Sequence, residues 1–225
     1  MQRLPLPDFI SADIAVWQLA LDLDAQPALE DAQLLSDDER ARAQRLRRPD
    51  DRLRAIAGRA ALRRLLALAV DVNPRSLRFG YGAHGKPLLQ SHSGPAFNVA
   101  HSGACVMIAI GVGTVSAIGV DVERRDDAID VEALASYALT PSERSALAAD
   151  GNTSAAFYSY WNAKEAALKA LGVGVAEYLQ RLSVRRCATA GLRVRHDLTH
   201  WPQLQVCALP APPHYSAALA WHIKD

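Results

Sequence analysis

The chain has 225 residues, half of them hydrophobic, and a formal net charge of +1 at neutral pH. That length supports a full hydrophobic core in one or two domains. No apolar run approaches the roughly 18 to 20 residues of a membrane span, and the opening Met-Gln-Arg-Leu-Pro-Leu-Pro lacks the charged-then-apolar order of a signal peptide. A cytoplasmic globular protein with no membrane contact is expected. Balanced charge, few aromatics and the lack of a reader motif argue against nucleic acid as partner. The three cysteines, Cys105, Cys187 and Cys207, have no Cys-x-x-Cys spacing and read as buried thiols in a reducing compartment.

In chain order, Ile14 to Leu21 is strand-like. Ser36-Asp37-Asp38-Glu39 has the form of a capping box that opens a helix to about Arg47. Asp50 or Asp51 is expected to cap a longer helix through Leu53, Ile56, Ala60, Leu65 and Leu68, ending before Asn73-Pro74. Between Arg40 and Arg64 stand ten arginines against two acids. Most of these should be solvated or salt-bridged, and two or three should remain for a small polyanion with several phosphates. Phe79 to Pro87 and Phe97 to Gly103 read as turns flanked by strands, and Cys105 to Ile110 as a strand.

The second half repeats the order. A strand from Ser116 to Glu123 is followed by a second capping box, Thr140-Pro141-Ser142-Glu143, and by a helix from about Thr153 to Leu171 closed by Gly172. Strands follow at Leu182 to Arg186, Leu192 to His196, Gln203 to Leu209 and His214 to Trp221. Residues echo at an offset of about 105, for example Glu39-Arg40 with Glu143-Arg144. The expected fold is therefore α+β: two similar subdomains in pseudo-twofold arrangement, 1–113 and 114–225, each an antiparallel sheet packed by a long helix, with the site in the cleft between them.

Two motifs carry the chemistry. In Ile118-Gly119-Val120-Asp121-Val122-Glu123 the period of two puts Asp121 and Glu123 on one strand face and the valines on the other. In Trp161-Asn162-Ala163-Lys164-Glu165-Ala166-Ala167-Leu168-Lys169, Glu165 and Lys169 share a helix face. Taken singly, the first reads equally as a sheet emerging into solvent and the second as a surface ion pair. Together, three carboxylates bordered by lysines suit a hard divalent cation that shares its shell with substrate phosphates. Trp161 reads as helix core.

Gly85-Lys86-Pro87, Phe97-Asn98-Val99-Ala100-His101-Ser102, the Asp121 strand and Phe157 to Lys169 together resemble the 4′-phosphopantetheinyl transferases, specifically the long, two-subdomain, monomeric type that activates peptide and polyketide synthase carrier proteins. The resemblance runs from about Glu39 to Gly174. It implies transfer of phosphopantetheine from coenzyme A to a serine of an apo acyl or peptidyl carrier protein. It also implies Mg²⁺, with Mn²⁺ as a substitute, held by Asp121, Glu123 and Glu165. Glu165 would act as base and Lys169 would meet the pyrophosphate, with Lys164 beside it. Arg54 and His101 would take the 3′-phosphate, Arg42 and Arg47 the same pole, and Lys86 the adenosine end. Ala100 departs from relatives that carry serine there, and Glu39 and Arg42 stand where other relatives carry lysines. A non-catalytic coenzyme A or nucleotide-binding protein and a metal-dependent phosphohydrolase would share many of these residues.

Overall fold

The computed structural model describes residues 1–90, 94–187 and 191–224. The chain runs β1 (Gln2–Arg3), β2 (Ile14–Ala20), α1 (Leu29–Leu34), α2 (Asp37–Gln44), α3 (Pro49–Val70), β3 (Phe79–Tyr81), β4 (Pro87–Leu89), β5 (Ala96–Ser102) and β6 (Cys105–Gly111). It continues with β7 (Val115–Arg124), α4 (Val131–Ala138), α5 (Pro141–Ala149), α6 (Ser154–Leu171), α7 (Val175–Tyr178), β8 (Ser183–Cys187), β9 (Gly191–Arg195), β10 (Gln205–Ala208) and β11 (Tyr215–Ile223). One antiparallel sheet has the order β1-β2-β6-β5, the other β7-β11-β10-β9-β8, and β3 pairs β4 in a short hairpin.

Strand alternation sorts the apolar side chains into layers. In β6, Val106, Ile108 and Ile110 pack with Ala61, Leu62, Leu65 and Leu66 of α3. Cys105, Met107 and Ala109 turn the other way, into a cluster with Val16 of β2, Ile118, Val120 and Val122 of β7, and Leu219 and Trp221 of β11. On the far face of the second sheet, Val206, Ala218 and Ala220 meet Ala163, Ala166, Ala167 and Leu168 of α6. The result is helix, sheet, sheet, helix, and the two α+β subdomains share a central core. Cys105 and Cys207 are buried in that middle layer. The side chain of Cys187 lies outside the described residues.

Local rules explain most element ends. Glu39 and Glu143 each reach back to the N-cap backbone, accepting from Ser36 N at 2.9 Å and Thr140 N at 2.7 Å, so both capping boxes are made. The start of α3 differs from expectation: Arg48 is the N-cap and Pro49 the first helical residue, because proline lacks the N–H that is orphaned there and its φ is already helical. Asp50 and Asp51 instead occupy the first turn, where the helix dipole favours them. Gly172 closes α6 in the left-handed conformation.

One further expectation is corrected. Phe97 to Ser102 belongs to strand β5, and the turn is confined to Gly103-Ala104. Residues 131–138 form α4, because Val131, Leu134, Ala135 and Ala138 recur at helical spacing against the core and Asp130 caps it by accepting from Ala133 N at 2.9 Å. The short α1 has no buried residue and therefore no strong periodic signal.

Candidate active site

The strand β7 and the helix α6 are held in unusually close contact by Gly119. A Cβ at this position would lie 2.0 Å from the Ala166 carbonyl oxygen and 2.4 Å from Ala170 N, so only glycine lets the helix approach this far. The same contact brings the acids of β7 to the polar face of α6. One ligand oxygen each of Asp121, Glu123 and Glu165 lies within 4.8 Å of the others.

Each of these carboxylates is oriented. Asp121, only 1% exposed, accepts from Asn162 Nδ2 at 2.6 Å and from Lys169 Nζ at 2.5 Å. Lys169 also pairs with Glu165 at 2.9 Å. Glu123 accepts from Ser102 Oγ at 2.8 Å, and Ser102 Oγ accepts from Arg124 N at 3.0 Å, which leaves the hydroxyl proton for the glutamate. Burial, reinforced by Asp121, pushes Glu123 up to about 7 and moves Glu165 in the same direction. Burial works against the charge on Lys169, but the Asp121 and Glu165 carboxylates outweigh it and hold its pKa above the ordinary lysine value. When all three are ionised, three hard carboxylates against one ammonium leave two negative charges, a donor set that fits a divalent cation such as Mg²⁺.

Beside this cluster is a cavity of about 370 Å³ whose lining residues all fall between Leu35 and His101. Arg42, Arg54, Arg59 and His101 are its basic groups. Tyr81 forms part of the wall under the Arg42 guanidinium, 4.4 Å from the ring centroid. Arg54 is fixed by Gly103 O at 2.7 Å and Asp51 at 2.6 Å. Desolvation by the surrounding protein, then the Arg54 charge, hold the His101 imidazole below the ordinary histidine range. His101 and Ser102 are neighbours on β5, so one strand touches both the cavity and the acidic cluster.

Not every expected residue is here. Lys164 is fully buried and directed elsewhere: it pairs with Glu143 at 2.7 Å and donates to the carbonyls of Ala138 at 2.9 Å and Leu179 at 2.8 Å. Lys86 does not point into the cavity either. Its ammonium donates to the carbonyls of Ile118, Lys169 and Ala170 at 3.0, 2.7 and 3.0 Å, and burial pulls its pKa down to about 8. Arg47 is exposed in the turn between α2 and α3 and is not among the lining residues. Of the other arginines in that run, Arg40 pairs with Asp37, Arg63 with Glu39 and Arg64 with Asp31.

Four groups at the site carry no expectation from the sequence: Asn162, Ser102, Arg59 and Tyr81. Asn162 was detectable, because residues 162, 165 and 169 stand at i, i+3 and i+7 on one helix face, whereas Lys164 falls about 100° away from Glu165. The others depend on strand pairing and hairpin placement that no local pattern encodes.

Known proteins match the chain along most of its length. Residues 117–220 match the model of the 4′-phosphopantetheinyl transferase superfamily, and residues 25–112 match that of the 4′-phosphopantetheinyl transferase N-terminal region. The chain is 35% identical over 182 residues to the 4′-phosphopantetheinyl transferase HetI of Nostoc sp., covering 77% of this chain and 76% of the relative. It is 30% identical over 187 residues to the L-aminoadipate-semialdehyde dehydrogenase-phosphopantetheinyl transferase of Schizosaccharomyces pombe, covering 69% and 72%. To the 4′-phosphopantetheinyl transferase Sfp of Bacillus subtilis it is 28% identical over 153 residues, covering 67% and 66%. With matches across both subdomains, the chain belongs to the 4′-phosphopantetheinyl transferase superfamily, as an enzyme of its long, two-subdomain type.

Proposed function

We propose that the protein transfers 4′-phosphopantetheine from coenzyme A to a serine hydroxyl of an apo acyl or peptidyl carrier protein, with Mg²⁺ or Mn²⁺ at Asp121, Glu123 and Glu165. The observation that carries this reading is the juxtaposition of the acidic trio and Lys169 with an arginine-lined cavity large enough for a nucleotide. Residues 1–113 would grip the nucleotide and residues 114–225 would hold the metal.

Arg42, Arg54 and His101, joined by Arg59, form the pole for the 3′-phosphate, where guanidinium forks suit phosphate oxygens. Lys169, held charged by its two carboxylates, neutralises the pyrophosphate from the other side. When bound, the cation supplies charge stabilisation to the pyrophosphate as the leaving group departs. The serine oxygen forms a bond to the β-phosphorus as the bond from that phosphorus to the bridging oxygen breaks, releasing adenosine 3′,5′-bisphosphate. The serine proton passes to a carboxylate, and Glu165, raised by burial and oriented by Lys169, is the assigned acceptor.

Carrier docking is assigned to α4 and the first turns of α6. Tyr137, 52% exposed, presents an aromatic surface there. The enzyme is taken to act as a cytoplasmic monomer, in keeping with the free buried thiols of Cys105 and Cys207. Chromatographic detection of adenosine 3′,5′-bisphosphate tests the reading. Release that requires apo carrier supports transfer, whereas equal release without carrier supports hydrolysis.

A further inference from the structure

The β3–β4 hairpin has two attachments. On one side Tyr81 and Pro87 wall the arginine cavity. The hairpin is gripped there by cavity arginines: Arg42 lies over Tyr81, and Arg59 sits 4.6 Å from the Phe79 ring centroid and 3.5 Å from the Tyr81 hydroxyl. On the other side its tip reaches the second subdomain. The turn closes through Gly82 N to Lys86 O at 2.9 Å and through Gly85 in the left-handed conformation, φ 79°. The Lys86 side chain passes along Gly172, where a Cβ would stand 3.6 Å from its Cδ.

The ammonium then takes the carbonyls of Lys169 and Ala170 at the end of α6, together with the carbonyl of Ile118 on β7. Both carbonyls stand in the last turn of α6, where the Lys169 carbonyl takes only a long bond from Gly172 N at 3.3 Å, and a cation there is also favoured by the helix dipole. Lys169 is therefore held at both ends: its carbonyl by Lys86 and its ammonium by Asp121 and Glu165.

We propose that Lys86 is a positioning residue of the transfer reaction: from the hairpin that walls the arginine cavity, it clamps the last turn of α6 and so fixes Lys169 against Asp121 and Glu165. This inference rests on the transferase reading, and it assigns Lys86 no contact with the nucleotide. The link gives the cavity and the metal-binding helix one shared mechanical element.

The test compares Lys86→Met and Lys86→Arg with the unaltered enzyme. Coenzyme A affinity is measured by calorimetry, kcat and KM by carrier loading, and thermal unfolding is followed in parallel. Lys86→Met is expected to lower kcat by about 10- to 100-fold through misplacement of Lys169, with the coenzyme A Kd and KM within about twofold of the original. Lys86→Arg, which can still donate to these carbonyls, should recover much of kcat. A rise in Kd and KM with kcat unchanged would overturn the proposal in favour of a direct ligand contact. A fall in unfolding temperature alone, with all kinetic constants retained, would overturn it in favour of a purely structural strut. If Lys86→Met does not fold, Lys86→Gln is read for the same split between kcat and Kd. Failure of the unaltered enzyme to load any carrier would instead count against the transferase reading itself.

Discussion

Asn162 and Lys169 each take one oxygen of Asp121, so this buried carboxylate would meet a cation with its orientation already set. Partners of this kind matter nearly as much as the ligands themselves. Asn162→Ala is expected to raise the Mg²⁺ concentration for half-maximal loading by about 10- to 100-fold, with coenzyme A affinity in the absence of metal unchanged. A metal titration of the loading rate checks it. Glu123 supplies a pH signature. Burial and Asp121 raise its folded pKa to about 7, above the value in the unfolded chain, so the folded state binds its proton more tightly. The resulting stability is present at low pH and lost as pH rises through about 7. In EDTA, the unfolding temperature should therefore fall between pH 5 and pH 8, and Glu123→Gln should flatten that slope. Because a bound cation displaces the proton, stabilisation by Mg²⁺ should grow over the same interval.

At the scale of elements, the contact between β7 and α6 sets the site, and Gly119 sets the contact. Gly119→Ala places a methyl group against backbone that cannot yield as a side chain would. Overpacking of this kind costs about 1 to 3 kcal/mol. Denaturant unfolding should show that loss, and carrier loading should fall further than the loss of folded protein explains. The opposite edge of α6 is held by a buried ion pair, Lys164 with Glu143, whose carboxylate also accepts from Val184 N at 2.5 Å. Lys164→Met leaves Glu143 buried without its counter-charge, a change worth about 3 to 5 kcal/mol. The double variant Lys164→Met with Glu143→Met should recover part of it in urea unfolding. The first subdomain carries a counterpart, since the other capping-box glutamate, Glu39, pairs with Arg63 of the long helix α3 at 2.8 Å.

The whole molecule is a pair of such units with a shared middle. Asn98 of β5 accepts from Val120 N of β7 at 2.9 Å, Tyr215 accepts from Ala104 N at 2.9 Å, and Ser102 meets Glu123, so polar ties cross where the sheets share their core. Much of this was legible locally. Both capping boxes, the long helices and the alternation that separates Asp121 and Glu123 from their valines follow from spacing alone. The clustering of the three acids could be suggested from two motifs because each motif fixes a face. The direction of Lys86 and the partners of Lys164 were not legible, because both side chains lie in family motifs beside site residues yet end on carbonyls and a carboxylate distant in sequence. The helix α4 is hard to read for a similar reason: it spans only eight residues, and the surface it packs on, α6, is distant in sequence.

The acidic trio and the arginine cavity are proposed to act together on coenzyme A to modify a carrier serine. The most direct measurement is the intact mass of an apo carrier protein after incubation with the enzyme, coenzyme A and Mg²⁺, alongside EDTA and the variants Asp121→Ala and Glu165→Ala. A gain of one phosphopantetheine that disappears with EDTA and in both variants is expected. An unchanged mass across several acyl and peptidyl carriers, or loading that persists in EDTA and in both variants, would contradict it.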